Sequence, residues 1–304
     1  MRIKKQGIAL LITAMFVIVI TVAIGFTLKQ INDTSRYVDQ ETTMYQNFIF
    51  AEDILNILNN SKELQEVVKN DDPVDLFTFL ETSGFITFEY SGVRLIVKIE
   101  SARNKYSINE LSKAQEGYLL DYFVRHNVRG EYLELIKDSI SGIKEDGYYY
   151  RTRIFDKEPS LFRDYIASMQ HLKRINRYYK NEYRDDALEA IEFDKLFAFA
   201  SDDENRSIDL NYVTPEVLEL ITGVTPQKAE LLQANDMVYS TIEDFYKVAA
   251  LSEDEKLRLE KFHPSVFEPY LYIKMDIIKD NLISHMSFEY DIKNKRGYNF
   301  VYEI

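Results

Sequence analysis

Few side chains in this sequence of 304 residues could carry out covalent chemistry or bind a metal. The absence of cysteine excludes thiolate nucleophiles, disulfide bonds and cysteine-type metal sites. The histidines are widely separated, and no nucleophile motif or glycine-rich phosphate loop accompanies them. They are His126, His171, His263 and His285. We therefore predict that the chain is not an enzyme.

The densest group of acidic side chains is Asp202-Asp203-Glu204. Calcium prefers six or more oxygen ligands. Neighbouring side chains in a strand or turn point apart, so this run is a weak set of ligands and a solvated loop is the better interpretation. No metal site is assigned from the residues alone.

A second motif could hold a phosphate through the backbone. Residues 207–222 include a short predicted helix, which is followed by a turn at Gly223 and a second short helix, as in a helix-hairpin-helix. Such turns usually offer two glycines and a helix N-terminus to the phosphate. Thr225 replaces the second glycine, and Glu216 and Glu219 lie beside the turn. We expect Gly223 to serve the fold, through a positive φ, and do not expect nucleic-acid binding.

The overall charge supports the same interpretation. The chain carries a net charge of −13 at pH 7. A surface of this sign repels nucleic acids and anionic lipid headgroups at long range.

The N-terminus contains a membrane signal. Ile8–Leu28 has no charged residue and would span about 30 Å as a helix, the thickness of a bilayer core. Arg2, Lys4 and Lys5 precede it without an acidic residue, which favours a cytoplasmic N-terminus with the bulk of the chain outside. No secretory cleavage site follows cleanly.

The next segment is amphipathic. Neither proline nor glycine interrupts residues 27–71, which predicts one long helix. Its apolar stripe is Ile31, Val38, Tyr45, Phe48, Leu55 and Leu58.

Strand signals lie at both ends of the remaining chain. Residues 85–90 and 93–99 are joined by Ser91-Gly92, and residues 270–278, 286–292 and 298–304 follow near the C-terminus. Because an isolated hairpin is marginally stable, we predict one antiparallel sheet closed over the amphipathic helix.

Between these strands, Ser107 to about Pro264 is predicted to be nearly all helix. Ser112 and Ser252 fit capping boxes, and Thr214-Pro215 and Thr225-Pro226 place a capping threonine before a proline. Residues 160–179 are predicted to bury one apolar face, formed by Leu161, Phe162, Tyr165, Ile166, Met169, Leu172 and Ile175.

The N-terminal pattern resembles the leader of type IV pilins and type II secretion pseudopilins. Basic residues precede Gly7, and the apolar helix follows without a spacer. The resemblance implies that a prepilin peptidase cleaves between Gly7 and Ile8 and methylates the new terminus. Major pilins carry a glutamate where this chain has Ile12.

The internal motifs resemble the K-type minor pseudopilin of type II secretion, general secretion pathway protein K. In order along the chain they are Asn109, Leu111, Asn211, Leu218, Gly223, Ala229 and Phe245. One departure is that the family's aspartate-tryptophan-isoleucine-aspartate segment corresponds here to Leu135–Ile140, where only Asp138 is acidic. The resemblance marks Asn211, Gly223 and Phe245 as structural residues of the hairpin region, and it leaves calcium open as a cofactor.

The implied fold is α+β. A long N-terminal transmembrane helix carries a pilin-like antiparallel sheet on its outer half, with a large inserted all-α domain. The predicted segments are 1–7 (leader), 8–28 (transmembrane helix), 29–106 (amphipathic helix and first hairpin), 107–266 (inserted helical domain) and 267–304 (C-terminal strands).

The implied function is that of a minor pseudopilin at the tip of the type II secretion pseudopilus, in the Gram-negative inner membrane and periplasm. Its implied partners are the I- and J-type minor pseudopilins, other pseudopilins, the prepilin peptidase and the inner-membrane assembly platform. Two alternatives are a minor pseudopilin of a DNA-uptake machine and a membrane-anchored scaffold that is not assembled.

Overall fold

The computed structural model describes Phe16, Ile20 and residues 39–90, 92–144, 149–199, 206–234, 237–279 and 282–303. The chain divides into two compact units. The first combines the chain up to Ala102 with the chain from Phe267 onward, and the second spans Arg103–Val266. Residues 103–106 therefore belong with the helical unit, although the sequence places its start at residue 107.

Hydrogen bonds explain this earlier start. The carbonyl of Arg103 accepts from Asp209 N at 2.9 Å, and that of Asn104 accepts from Thr214 N at 3.3 Å. Both bonds reach residues more than a hundred positions later in the sequence. No local pattern could have indicated them.

Three helices of the first unit are α1 (Asp39–Asn60), α2 (Lys62–Asn70) and α3 (Pro73–Ser83). The prediction of a helix running unbroken to Asp71 is wrong. Ser61 has extended backbone, and its hydroxyl accepts from Leu64 N at 3.2 Å, so it ends α1 and caps α2. A serine inside a helical pattern does not reveal from sequence whether it caps or continues the helix.

The buried face of α1 also differs from the predicted stripe. Tyr45 and Phe48 are 68% and 43% exposed, whereas Leu58 is buried as predicted. The other buried side chains of α1 are Asn47, Phe50, Ala51 and Ile54. Their spacing of three and four residues is that of a single helical face.

The described strands are β1 (Phe85–Tyr90), β2 (Val93–Ser101), β3 (Tyr106–Ser107), β4 (Phe197–Ala198), β5 (Ile208–Asp209), β6 (Pro264–Ser265), β7 (Tyr270–Lys279), β8 (Leu282–Asp291) and β9 (Arg296–Glu303). Five of them form an antiparallel sheet in the order β1-β2-β7-β8-β9. The predicted sheet built from both ends of the chain is confirmed. Strand β8 begins at Leu282 and not at the predicted Met286, because Lys279 pairs with Leu282.

The sheet packs on α1 through one face. Burial alternates along β2 and β7, so every second side chain points to the helix side. Asn47 of α1 donates to Ser284 Oγ of β8 at 3.0 Å, and Tyr290 OH donates to Asn59 Oδ1 at 2.8 Å. These two polar contacts fix the position of the helix along the sheet.

The helices of the second unit are α4 (Lys113–Arg125), α5 (Glu131–Ile140), α6 (Ile154–Lys157), α7 (Met169–Tyr183), α8 (Phe193–Leu196), α9 (Pro215–Thr222), α10 (Pro226–Gln233), α11 (Ile242–Ala249) and α12 (Glu253–Glu260). The unit is less uniformly helical than predicted. Two short parallel strand pairs, β3–β4 and β5–β6, join distant parts of the chain. Two-residue strands have too little periodicity to be seen in a sequence.

The predicted helical face in residues 160–179 is partly wrong. Helix α7 begins only at Met169, and the preceding residues are irregular. Leu161, Ile166, Leu172 and Ile175 are buried in the core of the unit, and Met169 packs against it. Phe162 and Tyr165 instead form an exposed ring pair, because the irregular segment turns them outward.

Candidate functional site

The helix-hairpin-helix-like unit is formed by α9 and α10. Thr214 and Thr225 cap the two helices, with Pro215 and Pro226 at their first positions. The hydroxyl oxygens accept from Val217 N and Lys228 N, each at 3.3 Å. Capping threonine followed by proline is thus a local signal that correctly located both helix starts.

Gly223 ends α9 with φ at +81°. Its N–H donates to Glu219 O at 2.9 Å, which closes the last turn of the helix. A Cβ atom at this position would lie 2.9 Å from Arg258 Nη1. Glycine is therefore required both for the backbone conformation and for the close approach of Arg258.

Two arginines bind the end of α9. Arg258 donates from Nε and Nη2 to Leu220 O at 2.9 and 2.7 Å, and Arg125 donates to the carbonyls of Glu219 and Val224 at 3.3 Å. Arg125 Nη1 also lies 2.9 Å from the buried Glu219 carboxylate. Sequence reasoning missed both arginines, since neither lies near the turn in sequence. Together they satisfy helix carbonyls that would otherwise lack partners.

These contacts leave few backbone N–H groups at the turn that could bind a phosphate. The N–H groups of Gly223 and Val224 already donate to Glu219 O and Thr222 Oγ1. The Glu219 carboxylate lies beside the turn, in contact with Arg125 and with His126 at 3.2 Å. A helix-hairpin-helix phosphate site needs free amides in a positive field. The turn is therefore built for packing within its own unit.

Replacing Gly223 with valine should lower the free energy of unfolding by about 2 kcal/mol, from the positive φ and the displacement of Arg258. Urea unfolding followed by far-ultraviolet circular dichroism would measure it. Gly117, in α4, has a negative φ, and a Cβ added there would meet no heavy atom within 4 Å, so Gly117→Ala is a matched control. That control should stabilise by about 0.5–1 kcal/mol. An unchanged stability of Gly223→Val would contradict the structural role.

Asn211 connects three segments of the second unit. Its Nδ2 donates to Tyr239 O at 3.0 Å and Val266 O at 2.7 Å, and its Oδ1 accepts from Tyr239 N at 2.7 Å. Phe245 is buried and meets the Tyr239 ring edge-on, with centroids 5.2 Å apart. The structure thus brings Asn211 and Phe245 together around Tyr239, while Gly223 is engaged with Arg258.

Asn109 plays a similar part at the entry to α4. Its Oδ1 accepts from Ile166 N at 2.8 Å, and its Nδ2 donates to the carbonyls of Ile166 and Phe199 at 3.1 Å. Leu111 packs against the core two residues later. An asparagine suits this position because it offers a donor and an acceptor to backbone groups of different segments.

Asp138 is buried in α5, within the segment Leu135–Ile140 that departs from the family's aspartate-tryptophan-isoleucine-aspartate pattern. Its Oδ1 accepts from Arg151 N at 3.0 Å, and its Oδ2 accepts from Thr152 N and Oγ1 at 2.7 and 2.8 Å. Both carboxylate oxygens are therefore occupied by protein donors. Asp138 holds the segment after α5 and is not available as a calcium ligand in this arrangement.

No group of three or more histidine, aspartate or glutamate side chains arranged for a metal is found in the described part of the chain. Asp202, Asp203 and Glu204 lie outside the described residues. Calcium binding accordingly stays a prediction without assigned ligands.

A polar cavity of about 80 Å³ lies in the second unit. Glu110 borders it, and one of its carboxylate oxygens is buried without a hydrogen-bond partner among the described residues. Burial raises the pKa of Glu110 to about 7. The other lining residues are Lys105, Tyr106, Ser107, Ser112, Gln115, Arg206, Ile208, Phe262 and His263. A cavity of this size and polarity suits ordered water.

The histidines occupy separate settings. His126 caps α4 and contacts Glu219, and His285 lies 2.7 Å from Asp276 on the sheet. His171 is buried, and burial lowers its pKa. His263 has φ at +50° beside the polar cavity. That the chain is not an enzyme stays a prediction.

Helix α1 presents an exposed apolar face opposite its buried one. Tyr45, Phe48 and Ile49 are 68%, 43% and 39% exposed. Their spacing of three and four residues places them on one side of the helix. Grouped exposed aromatic and aliphatic side chains mark surfaces that contact other molecules.

The predicted leader and nearly all of the predicted membrane helix fall on residues that the structure does not describe. Gly7, Ile8 and Ile12 lie outside the described residues. No helix within the described ranges is both long and apolar enough to cross a bilayer. Cleavage, methylation and membrane insertion stay predictions.

Comparisons with known proteins support the fold. No protein-family model and no curated protein sequence matches the chain. A chain of the crystal structure of the GspK-GspI-GspJ complex, from the type 2 secretion system of enterotoxigenic Escherichia coli, matches over 88% of this chain and 97% of its own length. The TM-score is 0.54, and 18% of the aligned residues are identical. The chain therefore shares its fold with a component of that complex, as its resemblance to general secretion pathway protein K implied.

Proposed function

We propose that this protein is a minor pseudopilin of a type II secretion system, anchored in the inner membrane and assembled at the tip of a pseudopilus. The observation that carries the proposal is the exposed apolar face of α1, on a fold shared with a component of the GspK-GspI-GspJ complex. Tyr45, Phe48 and Ile49 are suited to pack against helices of neighbouring subunits. The I- and J-type minor pseudopilins are the proposed neighbours.

The tip position is supported by two features of the sequence. In a bundle of N-terminal helices each terminal amine needs a partner, because a buried unpaired charge is costly. Ile12 cannot supply that partner to an adjoining subunit. The large unit Arg103–Val266 adds bulk that suits a subunit with no neighbour above it. Both features favour the end of the fibre that is assembled first.

The other partners in the proposal follow from the leader. A prepilin peptidase would cleave after Gly7 and methylate Ile8, and an inner-membrane platform would add the subunit to the fibre. Other pseudopilins would form the shaft below. The N-terminus would be cytoplasmic and residues 39–303 periplasmic.

Changing Tyr45, Phe48 and Ile49 to serine should lower pseudopilus assembly and protein secretion at least tenfold, since three grouped apolar contacts are removed. Assembly would be measured by immunolabelling of surface fibres and secretion by exported activity. The matched control changes Val74, Phe85 and Phe300, also exposed residues of the first unit, to serine. Equal loss in both variants, at equal protein levels, would contradict a specific assembly face.

Fibre labelling also tests the position of the subunit. A tip subunit should keep a constant copy number per fibre as fibres lengthen. A copy number that rises with fibre length would refute the tip assignment. Loss of transformation, with secretion intact, in a deletion strain would favour the DNA-uptake alternative.

A further inference from the structure

Helix α7, in the second unit, carries an exposed row of basic side chains. Lys173, Arg177 and Lys180 lie four and three residues apart, and Arg184 continues the row at the C-terminal cap. At about 100° per residue Lys173, Arg177 and Lys180 fall within an arc of about 60°, and Arg184, with φ at +51°, lies one turn further along the chain. They extend along about 16 Å of helix axis.

Most of this row is not neutralised by its own unit. Lys180 contacts Asp186 at 2.8 Å and Glu189 at 2.5 Å. Lys173, Arg177 and Arg184 have no ion pair or side-chain hydrogen bond with any of the residues that the structure describes. By contrast, Arg174 on the adjoining face is bound to Glu158 and Ser160.

The ordinary role of basic residues in a helix does not account for the row. Cations stabilise a helix through its dipole only within the last turn. Lys173 and Arg177 lie before the last turn of α7, which ends at Tyr183. In a chain with a net charge of −13, acidic groups are plentiful as internal partners, yet these cations face solvent.

We propose that Lys173, Arg177 and Arg184 form a docking surface for a short acidic segment of another protein. Three cations in one row are complementary to carboxylates spaced along one face of a helix or along an extended peptide. This surface belongs to the second unit and does not depend on the apolar face of α1. It therefore adds a class of partner to the proposed assembly and can be tested separately from it.

Two observations favour an acidic protein segment over a nucleic acid. The tyrosines between the basic residues, Tyr178 and Tyr179, are buried and offer no platform for base stacking. A long polyanion would also extend past the row onto Asp186, Glu189 and the rest of an acidic surface. A peptide no longer than the row avoids that repulsion.

The test uses the full chain in a non-ionic detergent and a fluorescent helical peptide with three glutamates spaced four and seven residues apart, to match Lys173, Arg177 and Arg184. At about 50 mM salt, the peptide should bind at least tenfold more tightly than its glutamine counterpart. Changing Lys173, Arg177 and Arg184 to glutamate should weaken binding at least tenfold, because three attractive charge pairs become repulsive. Raising the salt to about 300 mM should weaken wild-type binding similarly.

The matched control reverses the exposed Lys113, Lys247 and Lys261, which changes the net charge equally without touching the row. It should bind within about twofold of wild type, since distant exposed charges are screened. If circular dichroism shows that the glutamate variant is poorly folded, a variant with glutamine at the same three positions replaces it. That variant should still lose most of the peptide binding.

Four results would overturn the proposal. They are equal binding of the two peptides by wild type, equal weakening in the control variant, tighter binding of a 20-nucleotide DNA than of the glutamate peptide, and row-dependent binding to phosphatidylglycerol vesicles in preference to the peptide. The last two would assign the row to a nucleic acid or a membrane surface.

Discussion

Replacing Asn211 with alanine is expected to lower the free energy of unfolding by about 3 kcal/mol or more. The substitution leaves the N–H and C=O of Tyr239 and the C=O of Val266 without their side-chain partner. Each buried polar group that loses its hydrogen bond costs about 1–3 kcal/mol. The loss should also free the chain that precedes Phe245, because Tyr239 packs against that ring.

Hydrogen exchange of the full chain would locate the effect as well as measure it. The Tyr239 amide should exchange at least a hundredfold faster in Asn211→Ala, in line with the expected loss of stability. Asn181→Ala is the control, since Asn181 is an exposed asparagine of α7. Exchange at Tyr239 that stays as slow as in wild type would show that Asn211 is dispensable.

Replacing Asp138 with alanine is expected to cost about 3–5 kcal/mol, the range seen when one partner of a buried charged network is removed. Asp138 is 1% exposed and accepts three hydrogen bonds from Arg151 and Thr152. Lys144 Nζ lies 3.9 Å from the same carboxylate. The substitution would leave all of these donors without their acceptor.

Urea unfolding with and without calcium separates this structural role from metal binding. The loss of stability caused by Asp138→Ala should be the same in calcium and in a chelator, because protein donors already occupy both oxygens of Asp138. The control is the exposed Asp254→Ala, expected to change stability by less than about 1 kcal/mol. Calcium stabilisation of wild type that disappears in Asp138→Ala would instead make Asp138 a ligand.

Much of the local structure could be predicted because its causes lie within a few residues. The capping boxes at Ser112 and Ser252 are present as predicted, and so are the threonine caps of α9 and α10. The hairpin between β1 and β2 turns at Gly92, with φ at +80°. Side-chain caps and glycine turns depend on hydrogen bonds and sterics over three or four positions, so the sequence contains them.

The contacts of the candidate site were less predictable, because the residues that make them lie far apart in the sequence. Asn211 and Gly223 could be singled out, but not Tyr239 and Val266 as the partners of the first, nor Arg258 as the partner of the second. The basic row of α7 had a sequence signal in its four, three and four spacing. Whether those cations were paired could be read only from the structure.

The sequence by itself determined the order of the main segments (amphipathic helix, first hairpin, helical unit and C-terminal strands), the serine and threonine caps that it singled out, and the strand segments from both ends of the chain that form one sheet. Only the tertiary structure decided which face of α1 is buried, where Ser61 divides the long helix, and which short strands pair across β3–β4 and β5–β6. It also decided that Arg125 and Arg258 close the end of α9. The physical reason is range: propensity, capping and alternation act between near neighbours, whereas burial and the partners of polar side chains depend on segments that meet only after the chain has folded.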